Sequence, residues 1–221
     1  MKYCDSTVLR ASDNEVVLDR TVFYPGGGGQ PCDTGALNCD NGISNVIRVR
    51  RSGDDLVHEI EGDCPTVGTV VRVEIDWNKR YELMRTHTAL HILCGVIWRD
   101  FGALVTGGNM TPLAARMDFE LEHMSSEFAI QVEELINLEV YRERDIYVKS
   151  IPRKEAFKIP DLIRMKINKL PSTIAEVRIV DISGLDLQAD GGTHVANTKE
   201  VGKITVVGHQ SKGRINIGRC I

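Results

Sequence analysis

Up to about residue 75 the apolar positions fall in short runs that alternate with polar ones or are β-branched. These are Thr7-Val8-Leu9, Val16-Val17-Leu18, Val46-Ile47-Arg48-Val49, Leu56-Val57-His58-Glu59-Ile60 and Val70-Val71-Arg72-Val73-Glu74-Ile75. Ser12-Asp13-Asn14, Asp40-Asn41-Gly42 and Ser52-Gly53-Asp54 supply turns between them. Several short strands at this spacing predict a small barrel or sandwich. At Asp76 the period changes. Its side-chain oxygen can cap a helix, no proline follows until well past Asp100, and Leu83, Leu90, Leu93, Cys94 and Ile97 recur at helical spacing. Gly102 is a suitable terminator. A second helix is predicted over Ser126 to Arg142, with Phe128, Val132, Leu135 and Ile136 inward. A shorter one is predicted over Pro152 to Ile159, with a further helical turn or two reaching Asn168. Strand signals return at Glu176 to Val180 and Ile204 to Val207, and Gly213 to Ile217 reads as the return arm of a hairpin. The expected organisation is a β domain over residues 1–76, carrying a glycine-rich loop, and an α+β domain over residues 77–221.

Composition narrows the compartment and the partners. No apolar run approaches the roughly 20 residues that span a bilayer, and Met1-Lys2-Tyr3-Cys4-Asp5 lacks a signal-peptide core. A cytoplasmic protein with no membrane partner is expected. Six cysteines without a CxxC pair read as reduced thiols. A net charge of −4 gives no global attraction to nucleic acid, so phosphate contacts have to come from local basic patches.

The densest chemistry lies in Arg85-Thr86-His87-Thr88-Ala89-Leu90-His91. Positions i and i+4 share one helix face, so His87 and His91 can hold one metal ion. His194, in the distant turn Asp190-Gly191-Gly192-Thr193-His194, can close the site. Three protein ligands plus water make a typical catalytic zinc site. Asp190 can supply a carboxylate oxygen. The motif is not that of a zincin, because Thr88 stands where a general-base Glu is required.

The second unusual segment is Phe23-Tyr24-Pro25-Gly26-Gly27-Gly28-Gly29-Gln30. Four consecutive glycines are costly in chain entropy. They make either a flexible connection or a loop whose N–H groups approach an anion or carbonyl, with Gly28 and Gly29 at the tip and Gln30 offering an amide. No Gly-Lys-Ser/Thr follows, so this is not a P-loop and no nucleoside triphosphate is expected.

Together these motifs resemble the editing domain of alanyl-tRNA synthetase, and more closely the free-standing AlaX-type editing proteins. The resemblance runs from Phe23-Tyr24-Pro25 through Gln30, Asp76-Trp77, the His87/His91 motif and Ala115-Arg116-Met117-Asp118-Phe119 to Gln188-Ala189-Asp190-Gly191-Gly192-Thr193-His194-Val195. It implies an α+β fold: a small N-terminal β-barrel followed by an editing domain of the alanyl/threonyl-tRNA synthetase type. It implies a zinc-dependent aminoacyl-tRNA deacylase acting in trans on mischarged alanine tRNA, on seryl-tRNA first and on glycyl-tRNA as a further candidate. His87, His91 and His194 carry over as zinc ligands. The synthetase usually has Cys where this chain has Asp190. Asp190 then either ligates zinc through oxygen or orients a ligand imidazole.

Serine exceeds alanine by one hydroxyl, so such a site must reward the hydroxyl rather than exclude by size. Thr86, Thr88, Thr193, Gln30 and the zinc itself are candidate readers, a threonine near His87 foremost. Ala115-Arg116-Met117-Asp118-Phe119 reads first as an alternating strand with solvated or paired charges, and its functional reading places Arg116 near the tRNA terminus. Lys79, Arg80 and Arg85 precede the histidines on the same helix, where an RNA end would enter. Two other readings are a zinc-stabilised RNA-binding module with a closed four-ligand site, and a metallohydrolase of small amino-acid esters that makes no use of RNA.

Overall fold

A computed structural model describes residues 1–40, 42–121, 124–163, 174–212 and 215–220, with backbone alone for residues 211–220. The expected extension of the third helix to Asn168 and the turn at Gly213-Arg214 lie outside these residues. The chain divides into two compact units, Met1–Glu82 and Leu83–Ile221. No helix among the described residues is long and apolar enough to cross a membrane.

The first unit is a closed antiparallel barrel. Its strands are β1 (Tyr3–Ser12), β2 (Glu15–Leu18), β3 (Gly35–Cys39), β4 (Gly42–Ser52), β5 (Asp55–Gly62) and β6 (Val70–Ile75). They close in the order β1-β2-β5-β4-β3-β6, which leaves no unpaired edge. Each run predicted from alternation falls in a strand. In β6 the alternation is complete: Val71, Val73 and Ile75 are buried, and Val70, Arg72 and Glu74 are exposed. Leu37, Val8, Val16, Val46, Val49 and Ile60 join them in the barrel core. β3 is an addition to the predicted set. Its sequence Gly-Ala-Leu-Asn-Cys buries Leu37 alone and carries little strand signal.

α1 (Trp77–Phe101) begins as expected, with Asp76 Oδ1 accepting from Lys79 N at 3.1 Å. It ends at Gly102, which takes a positive φ of 65°. From Thr86 to Ile97 nearly every position is buried, on all faces of the helix. Polar residues there must find partners inside the protein.

The rest of the second unit comprises β7 (Val105–Thr111), β8 (Ala114–Phe119), α2 (Ser126–Tyr141), β9 (Ile146–Pro152), α3 (Arg153–Ala156), β10 (Glu176–Ile182), β11 (Asp186–Ala189), β12 (Gly208–Lys212) and β13 (Ile215–Cys220). Two antiparallel sheets form, β11-β10-β9 and β12-β13-β8-β7. Leu83 and Leu90 of α1 pack on Met110 beside Ala115 and Met117. α2 is capped by Ser125, whose Oγ accepts from Phe128 N at 3.1 Å. The expected helix from Pro152 shrinks to Arg153–Ala156, because Pro152 is the last residue of β9.

Ile204 to Val207 is not a strand, despite its β-branched sequence. Its backbone is satisfied by side chains of α2 instead. Asn137 donates to Ile204 O at 2.7 Å and accepts from Ile204 N at 2.9 Å, and Glu133 Oε2 accepts from Val206 N at 2.7 Å. A single primary amide thus does what a neighbouring strand would do.

Candidate metal centre

Two segments of the second unit converge. α1 contributes His87 and His91 from one face, one turn apart. The turn after β11 contributes Asp190 and His194. One potential ligand atom from each of these four residues lies within 4.8 Å of every other, and the three imidazoles are buried. The ring centroids of His87 and His194 are 4.4 Å apart, those of His91 and His194 4.6 Å, and those of His87 and His91 5.2 Å.

Asp190 faces the cluster with both oxygens. Oδ1 lies 3.6 Å from His87 Nε2, and Oδ2 lies 3.0 Å from His194 Nε2. The Asp190 carboxylate also accepts from Gly192 N at 2.7 Å, which folds the Gly-Gly turn back on itself. Arg178 Nη1 donates to Asp190 O at 2.8 Å and anchors the start of that turn to β10.

Burial, reinforced by the neighbouring rings, holds the pKa of His87 well below the ordinary imidazole value. Burial also brings His194 down to about 4, against the pull of Asp190. Burial works against the Asp190 carboxylate, but the His194 hydrogen bond and the nearby histidines outweigh it and keep it ionised. Near neutral pH the cluster therefore sets the Asp190 carboxylate beside the neutral His87 and His194 rings, the protonation state that a metal ion requires of its ligands. Nitrogen and oxygen donors of this kind suit zinc and other first-row cations, so the residues fit the metal implied by the resemblance.

The other expected site residues are dispersed. Thr88 is fully buried, and its Oγ1 lies 3.3 Å from His194 Nδ1 and accepts from Val195 N at 3.3 Å. Thr86 Oγ1 accepts from Leu113 N at 2.9 Å and so holds the turn between β7 and β8. Thr193 is half-buried beside His194. Arg116 stands on β8, its Nη2 donating to Asp118 Oδ2 at 3.1 Å, the charge pairing that an alternating strand allows.

Gln30, Gly28 and Gly29 belong to the first unit. There the glycine run is a tight turn in which Gly27 and Gln30 exchange backbone hydrogen bonds of 3.0 and 2.9 Å, and Tyr24 Oη donates to Gly27 O at 3.0 Å. Gly28 and Gly29 are exposed at its tip with φ of 58° and 89°, a conformation that admits glycine far more readily than other residues. Gln30 is buried.

Of the basic residues preceding the histidines, Arg80 pairs with buried Asp33 and donates to Val22 O at 2.9 Å, within the barrel unit. Arg85 donates to Val201 O from Nε at 3.2 Å and Nη2 at 2.9 Å. Both guanidinium groups thus hold the fold.

Two further residues, Asp186 and Gln188, stand behind His91. Asp186 Oδ2 lies 2.9 Å from His91 Nδ1 and accepts from Gln188 Nε2 at 2.8 Å. The available signal was period two: Asp186, Gln188 and Asp190 stand at alternate positions in and just after a strand, so they share a face.

Comparison with known proteins agrees with this geometry. Residues 1–79 match the family described as tRNA synthetases class II (A), and residues 177–216 match the threonyl and alanyl tRNA synthetase second additional domain. The chain is 40% identical over 219 residues to an alanyl-tRNA editing protein AlaX-M of Saccharolobus solfataricus, covering 97% of this chain and 91% of the relative. It is 38% identical to an AlaX-M protein of Methanosarcina barkeri, covering 98% and 92%. An alanine--tRNA ligase of Pyrobaculum calidifontis is 38% identical over 214 residues, which span 93% of this chain and 24% of the ligase. The chain therefore belongs to the family of alanyl-tRNA editing proteins of the AlaX-M type.

Proposed function

We propose that this chain is a trans-editing hydrolase that deacylates mischarged alanine tRNA, seryl-tRNA first and glycyl-tRNA as a further substrate, using zinc held by His87, His91, His194 and Asp190. The observation that carries this reading is the convergence of the three imidazoles and one carboxylate in a chain whose relatives along almost its whole length are alanyl-tRNA editing proteins.

The substrate is an ester between an amino acid and the terminal ribose. Bound zinc supplies Lewis acidity toward an attacking water or a substrate oxygen. The protein's own residues then perform three tasks. Burial keeps His87 and His194 unprotonated at neutral pH. Thr88 orients His194 through Nδ1. Asp190 adds a negative charge next to two of the rings, which favours a cation between them. Discrimination against alanyl-tRNA requires a group that hydrogen-bonds the serine hydroxyl and is left unsatisfied by alanine.

One observation favours the alternative of a closed structural site: Asp190 supplies a fourth donor at the cluster itself, and four protein ligands are the mark of structural zinc. The deciding experiment is deacylation of seryl- and alanyl-tRNA by the wild type and His87→Ala, alongside their zinc content. Wild-type turnover of the seryl ester, lost together with zinc in the variant, supports the hydrolase. Zinc binding with no turnover supports the structural module. Equal cleavage of both esters refutes the hydroxyl-reading site.

A further inference from the structure

Asp186 begins β11, and Gly95 lies one helical turn beyond His91 on α1. Asp186 Oδ2 is 2.9 Å from His91 Nδ1. The same oxygen already accepts from Gln188, and a carboxylate oxygen facing a metal-binding imidazole commonly takes the ring's second N–H, which puts the proton on His91 Nδ1 and the ring's lone pair on Nε2. The same carboxylate oxygen accepts from Gln188 Nε2 at 2.8 Å, and Gln188 Nε2 is 3.2 Å from Cys94 Sγ. Asp186, Gln188 and Cys94 are all buried. The contacts thus run from helix to strand and back to helix, and they fix the carboxylate from two sides.

Gly95 sets how closely the strand approaches. A Cβ built there would stand 2.9 Å from Leu185 Cγ and 3.1 Å from Asp186 Cβ. Glycine inside a helix weakens the helix, and here it leaves room for the Leu185 and Asp186 side chains that pack against α1 next to His91.

We propose that Asp186 is a positioning residue of the metal centre: it holds His91 in the tautomer that presents Nε2 to the ion, at a distance set by Gly95. Metal-binding imidazoles commonly donate their second N–H to a carboxylate, which fixes the tautomer and raises the basicity of the ligating nitrogen, and losing that partner weakens metal binding by about 10–100-fold. Thr88 serves His194 from a similar position, but as a neutral hydroxyl. Asp186 makes the charge-assisted bond, which is the stronger kind. The proposal rests on the metal reading above.

The test combines two measurements. Nitrogen-edited NMR of the imidazoles in zinc-free wild type is expected to show His91 protonated at Nδ1, and protonation at Nε2 overturns the proposal without any variant. Competition with a chromophoric chelator then gives zinc affinity for the wild type, Asp186→Asn and Gly95→Ala. Both variants are expected to bind zinc about 10–100-fold more weakly, Gly95→Ala in spite of its gain in helix propensity. Affinity of Asp186→Asn within about twofold of wild type overturns the role of Asp186, and the same result for Gly95→Ala overturns the role of Gly95. Should Asp186→Asn fail to fold, the wild-type tautomer decides. A wild type that binds no zinc refutes the metal reading, while the zinc-free spectrum still decides the tautomer.

Discussion

The second unit holds two buried charged constellations, and they are built on opposite principles. Glu139 on α2 is fully buried and surrounded by cations. Arg99 Nη1 and Arg142 Nη1 reach its Oε1 at 2.6 and 2.7 Å, and Arg144 Nε reaches its Oε2 at 2.6 Å. All three guanidinium groups meet the one carboxylate, Arg99 also pairs with Asp100, and the outer parts of Arg99 and Arg142 still reach solvent. At His87, His91, His194 and Asp190 the composition is the reverse: three imidazoles and one carboxylate, with a guanidinium, Arg178, only at the margin, 3.8 Å from Asp190 Oδ2. A cluster that closes its own hydrogen bonds and charges holds a fold together. One that gathers electron-pair donors around a common point is suited to a cation. The second pattern sets the ionised Asp190 beside His87 and His194, which burial keeps uncharged, the protonation state that a metal ion requires of its ligands.

The largest effect expected from this contrast is on catalysis. His87→Ala should lower kcat/KM for seryl-tRNA by about 10³-fold or more, on the order of 4 kcal/mol of transition-state stabilisation, while the zinc-free protein keeps its unfolding midpoint within a few degrees. A large loss of stability in the zinc-free state would mean that the histidines are structural, as Glu139 is. Glu139→Gln should do the opposite. It removes the one anion facing three guanidinium groups, and urea unfolding should report a loss of about 2–4 kcal/mol, below the full range for wholly buried pairs because Arg99 and Arg142 retain solvent. Deacylation per folded molecule should be unchanged.

A metal ligand set also predicts linkage. Zinc at a hundred times its dissociation constant should stabilise the wild type by about 2.7 kcal/mol. It should stabilise Glu139→Gln by a similar amount and His194→Ala by much less. Equal stabilisation of all three would place the zinc elsewhere.

The smallest effect concerns pH. His194 is brought down from 6.5 to about 4 in the folded protein, and His87 is lowered as well. Below pH 6.5 the unfolded chain therefore binds protons that the native state refuses. Stability of the zinc-free protein is complete above pH 6.5 and falls as pH drops toward 4. Glu139 is lowered from 4.5 because, although burial opposes it, its arginine partners win. Its contribution is present above pH 4.5 and is lost only as pH falls below that. His194→Ala should flatten the stability profile between pH 6.5 and 4, and Glu139→Gln should leave that slope in place. A slope that survives His194→Ala undiminished would assign it to other groups.

Strand and helix signals are readable where apolar residues recur at a strong period, whether one face is wet, as in β6, or nearly all are buried, as along α1. The alternation of Val70 to Ile75 and the heptad-like spacing of Leu83, Leu90 and Ile97 translate directly into β6 and α1. β7 and β9 escaped because their sequences, with Gly107, Gly108 and a largely exposed Tyr147 to Ser150, carry no strong period. Ile204 to Val207 misled for the converse reason: β-branched residues favour extended backbone, but whether that backbone finds a strand or an Asn side chain depends on its neighbour.

The primary structure by itself determined the local chemistry: which residues can bind a cation, that His87 and His91 share a helix face, and that a glycine turn carries His194. These follow from side-chain type and the fixed geometry of one helical turn. Tertiary structure alone decided which of the chemically suitable groups meet. It brought Asp190 to two of the rings, paired Asp186 with His91, used Arg80 and Arg85 as struts, and removed Glu139 into a cage of arginines. The longest of these pairings join positions 40 to 116 residues apart. Their free energy depends on burial and on partners that no local stretch of sequence contains.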